Sequence, residues 1–351
     1  MRKKQYKIFA AIHLGSEMIS MQIVQYRNLN NMKVLEECNR RVRLGEETFK
    51  NKIIPFSMVN EICELLVGFK RLMTEYEVEE YSMQATTAVR EALNRVFLLD
   101  QIYIRTGLKV TVIDLPEEIY TKYASIRRTM KLDGLTGVDE SMLMMDISSG
   151  GLGITFVKDN IIRYQQNLNI GVIRVKESFS RNQRSSMKFN QALAEYLSST
   201  MGAVRDALKN EQIHYLVLTG AESELLLQMM GVEFKAGVIR IKTEQFMQLF
   251  KTVHELNLPQ IIKVFKINED VAELVVPTIL LYEQLLALVP VQEIILTDDR
   301  FIDGICLLHI GPKASKDYAD ELEQEQLSLL YSIGERYQYD EAHSRQVAKL
   351  A

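Results

Sequence analysis

One unit occurs twice in this chain, and that repetition constrains the fold more than any other feature. Residues 142–157 read MLMMDISSGGLGITFV: an apolar run, one carboxylate at Asp146, a Ser-Ser-Gly-Gly turn, then alternating apolar positions. Residues 6–23 follow the same plan, with an apolar run ending at Leu14, a turn at Gly15 and Ser16, and Ile19, Met21 and Ile23 alternating with other residues. Each unit predicts a buried strand, a tight turn and a second strand, and together they predict an internal duplication. A Gly/Ser turn after a buried strand can also bring several backbone N–H groups to bear on one anion without interference from Cβ atoms. Asp146 then stands at the mouth of a phosphate loop, where a carboxylate needs a cation or hydrogen-bond donors. The plainer alternative is a hairpin in which Asp146 is an ordinary turn residue.

Composition narrows the chemistry. At 351 residues the chain can build two domains with full cores, and 47% hydrophobic with 25% charged residues is ordinary for a soluble globular protein. A net charge of −4 argues against a general nucleic-acid surface. A phosphate site here must therefore be local, built from backbone N–H groups, a few Arg or Lys side chains and a divalent cation. Cys38, Cys63 and Cys306 are odd in number and lack metal-type spacing, which suggests reduced, buried thiols and a cytoplasmic setting. The basic, partly apolar start reads as a first strand, not a signal peptide, and no apolar run approaches membrane-spanning length.

Taken in order, the chain predicts a third strand at 41–44 and a helix capped by Ser57, with Val59, Ile62, Leu66, Phe69 and Met73 at helical spacing. A strand at 81–86, one helix over 88–106 ended by Gly107, and a strand at 108–113 follow. Asp114-Leu115-Pro116-Glu117-Glu118 opens the next helix, since proline and acidic residues suit a first turn. The polar stretch 127–140 separates the repeats. Beyond it, strands are expected at 161–169, 214–219 and 293–296, and helices at 171–179, 191–210, 244–264 and 270–288. The pattern is α/β, with crossover helices present twice and a cleft between lobes. Expected domains are an N-terminal lobe over 1–130, a second lobe over 131–312 and a helical segment over 313–351. That last segment holds a charged helix at 318–337 and the opening of another at 340–351, as if a further helical domain were missing.

With both repeats in view, the chain resembles the exopolyphosphatase/guanosine pentaphosphate phosphatase family of the actin-like ATPase superfamily. AAIHLGS at 10–16 is similar to the family's first phosphate loop, ATTAVREALN at 85–94 to its Ala-Thr-Ser-Ala-x-Arg-x-Ala-x-Asn segment, and 146–153 to its second loop. IGVIR at 170–174 resembles a Leu-Gly-Ala-Val-Arg segment, DRFIDG at 299–304 a Leu-Arg-Glu-Gly segment, and 340–351 the opening of a helical HD-like domain. The resemblance implies two ribonuclease H-like, actin-like lobes. It assigns phosphate binding to Gly15, Ser16, Arg90, Ser148, Ser149, Gly150 and Gly151, the catalytic carboxylate to Glu118 and a metal-binding role to Asp146. It further implies Mg²⁺ as cofactor and a possible homodimer, acting on polyphosphate or a guanosine polyphosphate and on no nucleic-acid polymer or membrane.

The departures fall on the chemistry. His13 stands where the family carries Asp, and an imidazole is a poor ligand for Mg²⁺. Glu17, Met18 and Ser20 replace Asn, Ser and Arg in the same loop, and Gly153 replaces a Glu. The expected function is a phosphohydrolase releasing terminal phosphate from inorganic polyphosphate or guanosine pentaphosphate, weakened by the altered metal site. The alternative is an inactive member that binds a phosphorylated ligand and serves a regulatory or interaction role. For His13 the preferred expectation is a satisfied core or turn histidine. For Glu118 and Arg90 the structural alternatives are a helix cap and a salt bridge.

Overall fold

The computed structural model describes residues 6–135, 141–159, 161–179, 189–233 and 237–350. Strands β1 (Lys7–Leu14), β2 (Met18–Asn28) and β3 (Asn31–Arg41) form an antiparallel meander, and β4 (Glu80–Ala85) and β5 (Thr111–Val112) extend it in parallel, in the order β3-β2-β1-β4-β5. The second sheet repeats this arrangement. Strands β6 (Met142–Ile147), β7 (Leu152–Lys158) and β8 (Ile161–Leu168) form the meander, and β9 (Tyr215–Thr219) and β11 (Glu293–Thr297) run parallel to β6, while β10 (Val238–Lys242) is an added antiparallel edge. The duplication is thus present in the pairing itself, and the two sheets are the cores of two actin-like lobes. Strands β1 and β6 read as continuous apolar runs because each lies inside its sheet with helices covering both faces. Their ends correspond: His13 and Asp146 are each the last residue but one before the turn.

Several elements differ from expectation. The third strand is Asn31–Arg41, and residues 44–51 instead form α1 (Leu44–Asn51). Helix α2 (Phe56–Glu75) starts after Pro55 without a side-chain cap, so Ser57 lies inside it. The single helix expected over 88–106 is two, α3 (Thr87–Glu91) and α4 (Arg95–Thr106). Asn94 lies between them and ties down the preceding loop, accepting from the Ile54 N–H at 3.0 Å and donating to its carbonyl at 2.8 Å. The helix expected over 244–264 likewise divides, because Asn257 caps a new helix, Leu258–Phe265, with proline in its first turn. Part of the stretch expected to separate the repeats, 136–140, lies outside the described residues.

Helix α5 (Leu115–Leu132) links the lobes. Asp114 caps it, accepting from the Glu117 N–H at 2.9 Å, so Glu118 is not the cap. Helix Phe301–Ala314 crosses α5 so closely that a Cβ on Gly304 would lie 2.1 Å from the Thr121 carbonyl oxygen. Just before that helix, buried Asp299 accepts from Ser125 at 2.5 Å and Thr129 at 2.9 Å, both on α5. Helix Lys316–Arg336 packs on β8 and on α5, where Glu325 accepts from the Tyr120 hydroxyl and pairs with Arg127. Cys63 and Cys306 are buried as expected, while Cys38 is half-buried, and all three are free thiols. One apolar run does exceed the sequence expectation: helix Glu269–Leu288 is long and apolar enough to cross a membrane, but more than half of it is buried in the second lobe's core.

Candidate functional site

The first lobe contributes a compact charged cluster. Arg90 projects from α3, donating from Nη1 to Glu118 at 2.8 Å and to the Ile113 carbonyl at 2.8 Å. The Thr87 hydroxyl lies 3.3 Å from both Glu118 oxygens and accepts from Arg90 Nη2 at 3.1 Å. Glu118 and Arg90 are each about four-fifths buried, at 21% and 17% side-chain exposure. Burial raises the Glu118 pKa above its ordinary value, Arg90 opposes that rise, and the nearby charge of Asp146 adds to it. Asp146, on β6 of the second sheet, is thus within electrostatic reach of Glu118 near the start of the linking helix α5.

The second lobe brings its turn to the same place. A Cβ on Gly150 would meet Thr87 Cγ2 at 3.0 Å and the Phe49 ring of α1 at 2.9 Å, so this turn lies directly on the Arg90–Thr87–Glu118 cluster. Ser149 Oγ reaches Glu17 at 3.4 Å, meeting the first lobe's turn. Within the turns, the Ser148 N–H donates to the Gly151 carbonyl at 2.9 Å, the Gly151 N–H to Ser148 Oγ at 3.2 Å, and the Gly15 N–H to the Met18 carbonyl at 3.0 Å. Ser16 accepts from the Gly45 N–H at 2.6 Å, which fixes the first turn to the start of α1. Helix α6 (Val172–Glu177) begins against the second turn: a Cβ on Gly171 would lie 2.3 Å from the Gly151 nitrogen, so glycine alone permits this approach.

Arg174 clamps the two lobes. Its Nε donates to the Gly150 carbonyl at 2.7 Å, its Nη atoms pair with Glu91 at 2.5 and 3.3 Å, and the guanidinium stacks 4.2 Å over Phe49. Burial raises the Glu91 pKa, but Arg174 and Lys52 outweigh it and hold this carboxyl below its ordinary value. Its contribution to stability is then present above the ordinary pKa of 4.5 and lost as pH falls through the depressed one. Wild type is expected to exceed Glu91→Gln by about 2 kcal/mol near neutral pH, and by progressively less in urea titrations below pH 4.5.

Sequence reasoning singles out neither the clamp residues nor Lys122 and Thr87. Lys122 follows Glu118 by four residues on α5, a spacing that puts both on one helix face and could have revealed it. Its Nζ lies 2.8 Å from Asp146 Oδ1, with the lysine side chain only 12% exposed. His13 pairs through Nε2 with Thr86 Oγ1 at 3.1 Å and packs on Phe301 at 4.4 Å between ring centroids. Burial and, after it, the charge of Lys122 lower its pKa from 6.5 to about 3, so the ring is neutral in the native protein. Acid must then destabilise the fold, because the unfolded state takes up a proton on this ring below pH 6.5 and the native state does so only near pH 3. Wild type is expected to lose about 2 kcal/mol relative to His13→Asn between pH 7 and pH 5, with the His13 ring resonances unmoved over that range.

These residues do not fit Mg²⁺. Asp146 is held by an ammonium, Glu118 by a guanidinium, His13 is a neutral ring engaged with Thr86, and Gly153 offers no side chain. Among the described residues no group of three or more His, Cys, Asp or Glu side chains converges as a metal site.

The family model for the Ppx/GppA phosphatase family matches residues 22–307. The chain belongs to that family. A bifunctional 3-dehydroquinate synthase/phosphatase of Fusobacterium nucleatum is 23% identical over 181 residues, covering 50% of this chain and 27% of that protein. A guanosine-5'-triphosphate,3'-diphosphate pyrophosphatase of Vibrio atlanticus is 22% identical over 353 residues, covering 98% of this chain and 66% of that protein. The chain thus spans less than two thirds of the length of either relative. Among solved structures, the Aquifex aeolicus Ppx/GppA family member aligns with TM-score 0.72 and 20% identity, over 87% of this chain and 98% of that one. An exopolyphosphatase of Cytophaga hutchinsonii aligns with TM-score 0.75 and 19% identity, over 87% and 98%. At such identities these structures establish the shared fold.

Proposed function

We propose that the cleft binds the terminal phosphate of inorganic polyphosphate or of guanosine pentaphosphate and hydrolyses it slowly. The observation that carries this reading is the convergence of Glu118, Arg90 and Thr87 from the first lobe with the Ser149-Gly150 turn from the second. Arg90 supplies donors suited to a phosphate oxygen, and a buried carboxylate whose pKa is raised is a better base towards an attacking water. Family membership supports the same reaction class, and the pyrophosphatase and exopolyphosphatase names of the relatives support the two candidate substrates. Phosphate release from each substrate, measured side by side, tests the reading: release from either supports it and the faster names the substrate.

A second reading is favoured by the ion pairs themselves. Because both cleft carboxylates are already neutralised by basic side chains, the protein would bind a phosphorylated ligand without turnover and act as a regulatory or interaction protein. Ligand binding with no phosphate release from either substrate would select it.

A further inference from the structure

The cleft contains a cation supplied by the chain itself. Lys122 lies on α5 one turn beyond Glu118, is nearly buried, and sits 2.8 Å from Asp146 on β6, the strand of the second sheet against which α5 packs. Its charge also reaches His13 at the corresponding end of β1, where it opposes protonation of the ring. The ammonium therefore occupies the side of Asp146 to which the family resemblance assigns a metal. A lysine here is expensive unless it serves a purpose, since a buried ammonium loses its hydration and regains it only through partners. Asp146 supplies a charge partner at 2.8 Å, an ion pair in which its buried Oδ1 accepts no aligned hydrogen bond. An ammonium has three donors and can hold a carboxylate and a phosphate oxygen together, acting as a point charge where a metal would otherwise bridge them.

We propose that Lys122 takes the place of a divalent metal in this cleft, so that a terminal phosphate is held by Lys122 and Arg90 and its binding does not depend on a metal ion. This rests on reading the cleft as a terminal-phosphate site. Asp146 is then a positioning residue for the lysine and not a metal ligand.

Calorimetric titration of the full chain with imidodiphosphate, a pyrophosphate analogue that resists hydrolysis, tests this in EDTA and in MgCl₂. Wild type is expected to bind at least as tightly in EDTA as in MgCl₂. Lys122→Met is expected to weaken binding in EDTA by about tenfold or more and to recover part of it in MgCl₂, because Asp146 is released to meet a magnesium–phosphate complex. Lys122→Arg should retain most of the wild-type affinity in EDTA. Wild-type binding that is about tenfold weaker in EDTA than in MgCl₂ would overturn the proposal. So would a Lys122→Met protein that binds like wild type in EDTA. The wild-type comparison decides the matter even if the methionine variant does not fold. Absence of wild-type binding in both media would instead refute the cleft reading itself, and the proposal with it.

Discussion

Gly304→Ala is expected to destabilise the protein by about 2 kcal/mol, although alanine is the better helix former. In an open helix the replacement would gain about 1 kcal/mol. Here the added Cβ would fall 2.1 Å from the Thr121 carbonyl oxygen and 2.9 Å from its carbonyl carbon, both backbone atoms that no rotamer change can move aside. The two helices must separate, and an approach this close to backbone belongs at the upper end of the overpacking cost, about 3 kcal/mol, which less the propensity gain of about 1 leaves a loss of about 2. Separation also disturbs the neighbouring contacts of Asp299 with Ser125 and Thr129, which lock α5 to the second lobe. Gly68, inside α2 with nothing within 4 Å of its Cβ position, is the internal control. Gly68→Ala should stabilise by about 1 kcal/mol. Urea unfolding of the two variants separates the explanations: a Gly304→Ala protein as stable as Gly68→Ala would mean that the helix crossing is not tight.

The same glycine shows what the sequence can and cannot display. Its place in DRFIDG was legible as a family segment, but its reason for being glycine is a contact with Thr121, 183 positions earlier, which no local pattern encodes. The repeated strand–turn–strand units were legible because both β1 and β6 are apolar on both faces and both end at a Gly/Ser turn. Strand β3 was not: NMKVLEECNRR lies at a sheet edge, is largely exposed, and has no alternation for a pattern to detect. The start of α5 was readable from the proline and acidic residues of 114–118, but which carboxylate caps it was not, and only the structure assigns the cap to Asp114 and frees Glu118 from that role. The clamp was not, because Arg174 and Glu91 meet only after the lobes assemble. Most instructive is Lys122. Its spacing from Glu118 was visible, but its meaning depends on Asp146, which reaches it only when α5 packs on the second sheet.

Glu118→Gln is expected to lower phosphate release by about 10²–10⁴ while leaving KM nearly unchanged, if the cleft hydrolyses its ligand. The amide keeps the shape and can still accept from Arg90 and Thr87, but it cannot take a proton from water. Wild-type activity should rise with pH through the raised pKa of this carboxyl, an acid limb lying above its ordinary 4.5, because only the ionised form acts as a base. Arg90→Gln separates the two functions of the pair. It removes the group that opposes the rise, so the limb should move to higher pH, and it removes a phosphate donor, so KM should increase as well. A merely structural ion pair would show neither difference, since breaking it from either side would lower stability and activity together. Full turnover in Glu118→Gln would transfer the base to another group. A wild type without turnover, whose imidodiphosphate affinity falls in Arg90→Gln but not in Glu118→Gln, would show that the guanidinium serves binding and that the carboxylate only holds it in place.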